Sequence, residues 1–402
     1  MGIYCGIDWS ERHHDVAVVN DAGAVLARRR IGDDLAGFTE LTALLAEHSG
    51  RDFGPVDVAI ETDRGLLVAA LRAAGHRVYA INPKAVSRYR DRFGAAGGKS
   101  DPGDAMVLAD LLRTDRDRHR PMPADSELGQ AVRVLARAHQ DQIWARQQDT
   151  NRLRSLLREF FPAALTAFPD LHTKTALVVL DAAATPRQAA SLTRANLVAL
   201  LHGAGRGTRP ADAARLVEIF NAPQLHQPVL VEQAMGHAVR AIVATLVAAN
   251  AAIAQLEHAL SSSFDAHPDA EILDSLPGLG LVLGARVLSE FGDDPNHFDH
   301  AASRRAYAGT APITRASGRS RAVLARHVRN KRLADACYLW AFAALTKSTG
   351  ARAFYDRRRA AGDRHNAALR RLGSKLIGQL HICLTTRRPY EEHLAWPPTP
   401  AA

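Results

Sequence analysis

Cysteine is scarce in this chain: three residues in 402, Cys5, Cys337 and Cys383. Far apart and odd in number, they exclude a disulfide framework and a thiolate metal site and read as reduced core residues. No uninterrupted apolar run approaches the roughly 18 residues that span a bilayer. The first twenty residues carry Asp8, Glu11 and Asp15 where a secretory leader would be basic and then apolar, so a cytoplasmic location is expected. Glycine-rich nucleotide loops are missing too. Gly6-Ile7-Asp8-Trp9-Ser10 could open the phosphate hairpin of an actin-like kinase or ATPase, but no companion phosphate or adenosine loop follows, so no nucleotide cofactor is expected.

Acid is what the last quarter lacks. Residues 301–402 hold 20 Lys+Arg against 5 Asp+Glu, a balance of +15, and the net +9 of the whole chain then leaves −6 for the first 300 residues. A basic block can be a merely solvated face. Here arginine outnumbers lysine, with Arg315, Arg319, Arg321, Arg326, Arg329, Lys331 and Arg332 closely spaced, and guanidinium forks suit phosphate oxygens. Contact with nucleic acid, with release of its counterions, is the expected use.

Residues 3–8, 15–20 and 24–31 read as three short strands with turn residues between them, followed by a helical stretch near 35–47. A buried strand at 56–61, a helix at 65–74 and a strand at 77–81 come next, giving an α/β domain with a mixed sheet of ribonuclease H-like type over 1–122. From about 123 the pattern is helical. Residues 127–160 form one long helix, and 165–230 look like a small helical insertion. Over 235–260, Met235, Val239, Ile242, Leu246, Ala249, Ile253, Leu256 and Leu260 make an unbroken heptad stripe. It fits either an in-chain helical hairpin with 127–160 or an intermolecular coiled coil that would make a homodimer or tetramer. A third, basic domain is expected over 266–402. There Leu276-Pro277-Gly278-Leu279-Gly280 and the apolar helix 281–291 match a helix-hairpin-helix turn, in which Gly278 and Gly280 would let backbone N–H groups approach a phosphate. The same Pro-Gly turn can join two packed helices without any ligand.

Four acids carry the chemistry. Asp8 and Glu61 end apolar strands, and Asp101 and Asp104 lie three apart in Lys99-Ser100-Asp101-Pro102-Gly103-Asp104, on one helix face. Phosphodiester cleavage uses two hard cations about 4 Å apart, one activating the attacking oxygen and one stabilising the leaving oxygen, and both need carboxylates. The expected ion is Mg2+, or Mn2+ in its place. Asp101 before Pro102 could instead be only a helix cap, and Asp15, Asp63 and Asp110 are rivals for single positions. A second constellation runs from Gly309 to Arg321, where Ser317 beside Gly318 is an exposed hydroxyl among guanidiniums. Serine-glycine in a basic loop is more often a turn than a nucleophile, and no histidine triad signature accompanies it.

In this order, the Asp8 strand, Ile60-Glu61-Thr62, Lys99 to Ala105, Leu276 to Gly280 and Ala308-Gly309-Thr310 through Ser317-Gly318 resemble the DEDD transposase and recombinase family of bacterial insertion sequences, the one-ten family related to the Piv DNA invertases. The resemblance implies a RuvC-like N-terminal domain, a coiled-coil middle and a C-terminal transposase domain. It further implies that Ser317 forms a covalent phosphoserine link to the cut DNA strand while Asp8, Glu61, Asp101 and Asp104 hold Mg2+, and that a structured guide RNA directs recombination of double-stranded DNA. The 165–230 insertion departs from the shorter family pattern, and Ser320 stands close enough to compete with Ser317. Since Asp8 and Ser317 fall on separate domains, a serine from one protomer could complete another's acidic site. Two rivals remain: a RuvC-like junction nuclease with water as nucleophile, and a non-enzymatic nucleic-acid scaffold.

Overall fold

A computed structural model describes residues 2–49, 54–90, 101–205, 210–318 and 320–397. The chain divides into two compact units, Met1–Ala124 and Asp125–Ala402. In the first, β1 (Ile3–Trp9), β2 (His13–Asn20) and β3 (Val25–Gly32) precede α1 (Leu35–Ser49), and β4 (Asp57–Ile60), α2 (Leu66–Ala73), β5 (Arg77–Ala80), α3 (Pro83–Arg90) and α4 (Asp101–Asp115) follow. The sheet order is β3-β2-β1-β4-β5. β1 is antiparallel to β2 and parallel to β4, and β4 is parallel to β5, so the expected mixed sheet is present.

Strand alternation sorts this sheet into two faces. Ile3, Cys5 and Ile7 join Val16, Val18, Leu41, Leu45 and Leu71 in a core under α1 and α2. The even-numbered residues of β1 face the other way, toward α4, which packs on both β1 and β2. Gly6 makes that contact possible: a Cβ there would lie 2.0 Å from the carbonyl oxygen of Ala105 and 2.4 Å from the nitrogen of Ala109. Val107, Leu108, Leu111 and Leu112 of α4 close the second core with Tyr79, Val86 and Tyr89.

The second unit is helical apart from one hairpin. α5 (Glu127–Phe160) begins at a Ser126 cap that accepts from the Gly129 N–H. Short helices α6 (Pro162–Ala167), α7 (Lys174–Ala182), α8 (Pro186–Ala190), α9 (Arg194–Gly203) and α10 (Pro210–Asn221) lead into α11 (Val229–Asp265). Then come α12 (Ala270–Ser275), α13 (Gly280–Phe291), α14 (Ala301–Tyr307), strands β6 (Ile313–Ser317) and β7 (Ser320–Leu324), and α15 (Lys331–Ala344), α16 (Thr349–Ala360), α17 (His365–Thr386) and α18 (Glu392–Ala395). The segment expected as an insertion is built into a core: Phe161, Leu180, Leu197 and Phe220 pack with Val239, Val243 and Leu246 of α11.

α5 and α11 form an extensive helical hairpin. Within the heptad stripe Val239, Leu246, Ile253 and Leu260 are buried, and Met235, Ile242, Ala249 and Leu256 are half-buried. The fully buried line is thus used inside the chain, Val239 and Leu246 in the core shared with Leu153, Leu157 and the short helices, and Leu260 in the core with Val132 and Ala136. α11 is also the one described helix long and apolar enough to cross a membrane. No uninterrupted apolar run announced it, because Thr245, Asn250 and Gln255 break the run between Arg240 and Glu257 without adding charge.

Candidate active site

Register places the first acids. In the β1–β2 ladder Asp8 stands opposite Asp15, and Asp15 stands opposite Arg30 of β3, so the three share one row on the α4 face. Two carboxylates directly across a ladder repel, and Arg30 relieves part of this by donating to both oxygens of Asp15, at 3.2 and 2.8 Å. On the other side Ile7 pairs with Ile60 in the parallel ladder, which makes Glu61 the next residue beyond β4, level with Asp8. From above, Asp101 and Asp104 occupy the first turn of α4, where the positive end of the helix dipole favours negative charge. Gly6, two residues before Asp8 on the same face, is what allows that helix end to descend on the strand.

The acids expected from the sequence therefore meet around Asp8. Its carboxyl is pushed up from 3.8 to about 6, first by burial and then by the charges of Asp104, Asp101, Glu61 and Asp15. A bound cation would favour the ionised form of such a carboxylate. The donor set is hard oxygen, and it fits a divalent ion of the Mg2+ type better than a soft metal.

Two details are not legible in the sequence. Arg90, at the end of α3, forms an ion pair with the buried Asp104 at 2.5 Å. His13 and Asp15, two apart on β2, offer ligand atoms that lie with one from Asp101 within 4.8 Å of each other, a trio among the described residues that contains one expected acid and two other residues. Asp15 is a rival for a single position in the sequence and His13 is not among the expected residues; the period of two between them is the signal that pairs them. Asp63 is exposed and ion-paired with Arg64, and Asp110 accepts from Arg113, so both rivals are engaged elsewhere. Lys99 and Ser100 lie outside the described residues, and Asp101 is the first helical residue of α4.

In the second unit the basic motif is a hairpin and not an irregular loop. β6 and β7 pair from Ile313–Leu324 to Ser317–Ser320, and Gly318 in the turn has φ 54°, a left-handed conformation natural to glycine. Arg319 lies outside the described residues. Ser317 and Ser320 face each other across the last pair, both exposed, with Arg315 on the same face two residues back and Arg321 on the opposite face. Both hydroxyls remain candidates.

The other expected phosphate contacts separate by their neighbours. Gly278 has φ 82°, and a Cβ there would lie 2.6 Å from the Ala344 nitrogen; the Trp340 indole N–H donates to the Pro277 carbonyl at 3.0 Å. The Pro-Gly turn between α12 and α13 is thus seated against α15, which by itself accounts for the glycine. Gly280 is exposed with open space around it. Arg332 donates to Asp141 at 2.7 and 3.0 Å and lies over the Trp144 ring. Arg326 is half-buried, Arg329 donates to the Arg326 carbonyl at 2.7 Å, and Lys331 is exposed at the start of α15.

Comparison with known proteins adds a second line. Residues 5–162 match a family described as transposase, of the DEDD type of the IS110 group, and residues 270–356 match the transposase IS116/IS110/IS902 family. A Streptomyces coelicolor protein named "Mini-circle putative transposase for IS117" is 53% identical over 99% of this chain and 97% of its own length. An uncharacterized 42 kDa protein of insertion element IS900 from Mycobacterium paratuberculosis is 30% identical over 96% of this chain and 97% of its own length. An uncharacterized 44.8 kDa protein of insertion element IS116 from Streptomyces clavuligerus is 31% identical over 96% of this chain and 95% of its own length.

Proposed function

The chain belongs to the DEDD transposase family of the IS110 group of insertion elements, an enzyme family acting on DNA, and from that premise we propose that it cuts and rejoins DNA strands with an acidic cation site and a serine nucleophile. One observation carries the cation site: strand register sets Asp15 opposite Asp8 and Glu61 level with it, and Gly6 seats the first turn of α4, with Asp101 and Asp104, on the same strand. Asp8, Glu61, Asp101 and Asp104 would hold Mg2+, or Mn2+ in its place, in a domain of RuvC-like, ribonuclease H-like design. The strand order 3-2-1-4-5 with its antiparallel first half supports that design. When bound, the cation supplies charge neutralisation at the scissile phosphate.

The remaining steps belong to the chain's own groups. Arg90 pairs with the buried Asp104 and so offsets its charge. Arg30 fixes Asp15, so that the row beside Asp8 keeps its geometry. The Ser317 hydroxyl would attack phosphorus, form the Ser–O–P bond and release one strand end as a free hydroxyl; a second strand end would then attack the same phosphorus and return the serine. One phosphodiester bond is broken and one made, so no ATP is required. Arg315, on the same hairpin face, would hold the phosphate oxygens. The basic block would also hold a structured guide RNA, which sequencing of the RNA that copurifies with the protein tests directly.

The deciding experiment is trapping. Wild-type protein with Mg2+ and cognate DNA should give a protein–DNA adduct on a denaturing gel, and Ser317→Ala should give none. Cut DNA with no adduct at any time would establish water as the nucleophile, the RuvC-like nuclease alternative. Mixing Ser317→Ala with Asp8→Ala subunits then asks whether a site is shared between protomers: recovered recombination supports sharing, and no recovery counts against it.

A further inference from the structure

A cavity of 420 Å3 in the second unit has no part in that chemistry so far. It lies at the root of the serine hairpin, walled by the Ala308–Thr310 segment that enters β6, by Arg329 and Lys331 that follow β7, and by α15 and α17. This volume is of the size that takes one small ligand. Its lining combines three cations, Arg329, Lys331 and Arg370, with one half-exposed aromatic, Tyr338, and one amide, Asn366. The single acid in the wall, Asp335, already accepts from Gln140 at 3.2 Å.

Each group is set for a specific part of a nucleotide. Lys331 and Arg370 make no ion pair among the described residues, and although the Arg370 charge also acts on Asp363, both cations line the cavity and can meet a phosphate. The Arg329 stem lies over Gly309, where a Cβ would be 2.1 Å from its Cδ, and Gly309 has φ 73°. Only glycine combines that backbone with that contact, so the residue fixes where the Arg329 side chain runs. Tyr338 is 39% exposed and presents a ring on which a base can stack. Its hydroxyl donates to Asn366 Oδ1 at 3.4 Å, leaving the Asn366 amide N–H groups for a base edge.

We propose that this cavity holds one unpaired nucleotide of the DNA strand being cut, its base on Tyr338 and its phosphate between Lys331 and Arg370. DNA is favoured because the cavity is continuous with the hairpin that carries Ser317. Thr310 to Ser317 is seven residues, so the serine stands on the order of 20 Å further along the hairpin at about 3.3 Å per residue. A strand anchored at the root would be led past the hydroxyl a few nucleotides away. The assignment rests on the serine reading above for the identity of the strand, but its test does not require cutting.

The probe is a 12-nucleotide single-stranded DNA with one 5-iodo-2′-deoxyuridine, bound to the full-length protein in EDTA, irradiated and mapped by mass spectrometry. The expected result is a crosslink at Tyr338. Tyr338→Ala should weaken binding of the same oligonucleotide by about five- to one hundredfold, the usual range for loss of one stacked base. Tyr338→Phe should restore it, because the ring and not the hydroxyl carries the stack. Arg370→Ala should flatten the salt dependence by about one counterion; this variant keeps the test sound if Tyr338→Ala is poorly folded. Crosslinks only elsewhere, or Tyr338→Ala and Arg370→Ala both binding as wild type, would overturn the site. An RNA 12-mer that crosslinks at Tyr338 while the DNA does not would overturn the DNA assignment. Because EDTA suppresses strand cutting, none of these outcomes depends on whether Ser317 is the nucleophile.

Discussion

The acidic cluster and the serine hairpin are built in opposite ways. Asp8 sits on the central strand of a five-stranded sheet, fixed by ladders on both sides and by a helix that touches its backbone at Gly6. Ser317 ends a two-stranded ribbon whose β7 residues are all exposed and whose β6 residues, Ile313 apart, are exposed too. An isolated ribbon of this kind is marginal in water. Val323, 64% exposed, and Leu324, 40% exposed, are apolar residues that the chain itself leaves uncovered. The contrast suggests a division of labour. Carboxylates that repel one another need a rigid scaffold to hold them together, whereas the nucleophile proposed for Ser317, which would form and then break a bond to DNA, would benefit from an element that settles on its substrate.

The largest effect that would break this comparison is on the rigid side. Asp8→Asn keeps the shape and removes the charge at the point of convergence, and strand cutting should fall by about a thousandfold or more, the scale of several kcal/mol of lost cation-dependent stabilisation. Adduct formation in a denaturing gel measures it. Cutting within tenfold of wild type would mean that the acids are incidental, as in the scaffold reading. On the hairpin side, Ser317→Ala should abolish the adduct while Ser320→Ala preserves it; the reverse pattern would move the nucleophile across the ladder to Ser320.

Gly6→Ala probes the rigidity itself. The new methyl would overlap the Ala105 carbonyl and the Ala109 nitrogen, so α4 has to move, at a cost of about 1–3 kcal/mol. Thermal melting should show the loss, and cutting should fall further than melting alone explains, because Asp101 and Asp104 ride on the displaced helix. Gly318→Ala, in the exposed turn with open space around it, should cost less despite its positive φ.

Much of the rigid half was legible in the residues. Turn residues and β-branched runs place β1 to β5 within one residue at each end, except that β2 starts two residues early at His13. The end of α5 before Pro162 followed from the missing amide hydrogen of proline. What strand periodicity could not supply was contact between elements distant in sequence. Gly6 reads as an ordinary small residue until α4 is laid on it, and Arg90 reads as one basic residue among several until Asp104 is buried beside it. The heptad stripe stayed open between two packings, since periodicity defines an apolar face without naming the face that covers it. The hairpin was hidden for a different reason. Gly-Arg between two serines is a two-residue hairpin signal, but arginine-rich flanks lack the alternating apolar pattern that identifies strands.

Titration separates the two regions on a finer scale. Raised to about 6, Asp8 keeps its proton in the folded chain over a range in which the unfolded chain, near 3.8, has lost it. Stability of the cation-free protein should therefore fall as pH rises from about 4 to about 6, and Asp8 should contribute no further change above that. Mg2+ should oppose the fall, since a bound cation favours the ionised carboxylate. Denaturant midpoints measured across this window with EDTA and with Mg2+ test the point, and a Mg2+ effect as large at pH 4 as at pH 7 would sink it.

The smallest effect concerns two arginines that the sequence treats alike. Arg321 is exposed on the hairpin and makes no ion pair among the described residues, whereas Arg332 is held by Asp141 and lies over Trp144. A guanidinium already neutralised in the free protein releases fewer counterions on binding, because part of its charge was never open to phosphate. Arg321→Ala should lower the slope of log affinity against log salt by about one. Arg332→Ala should leave that slope nearly unchanged and lower stability by about 0.5–1 kcal/mol, through loss of a partly exposed pair and its ring contact. Fluorescence anisotropy with duplex DNA at several salt concentrations, beside urea melts of both variants, reads the two effects separately. Equal slopes for the two variants would show that proximity to the basic block, and not the partners each arginine has in the fold, decides which residues meet nucleic acid.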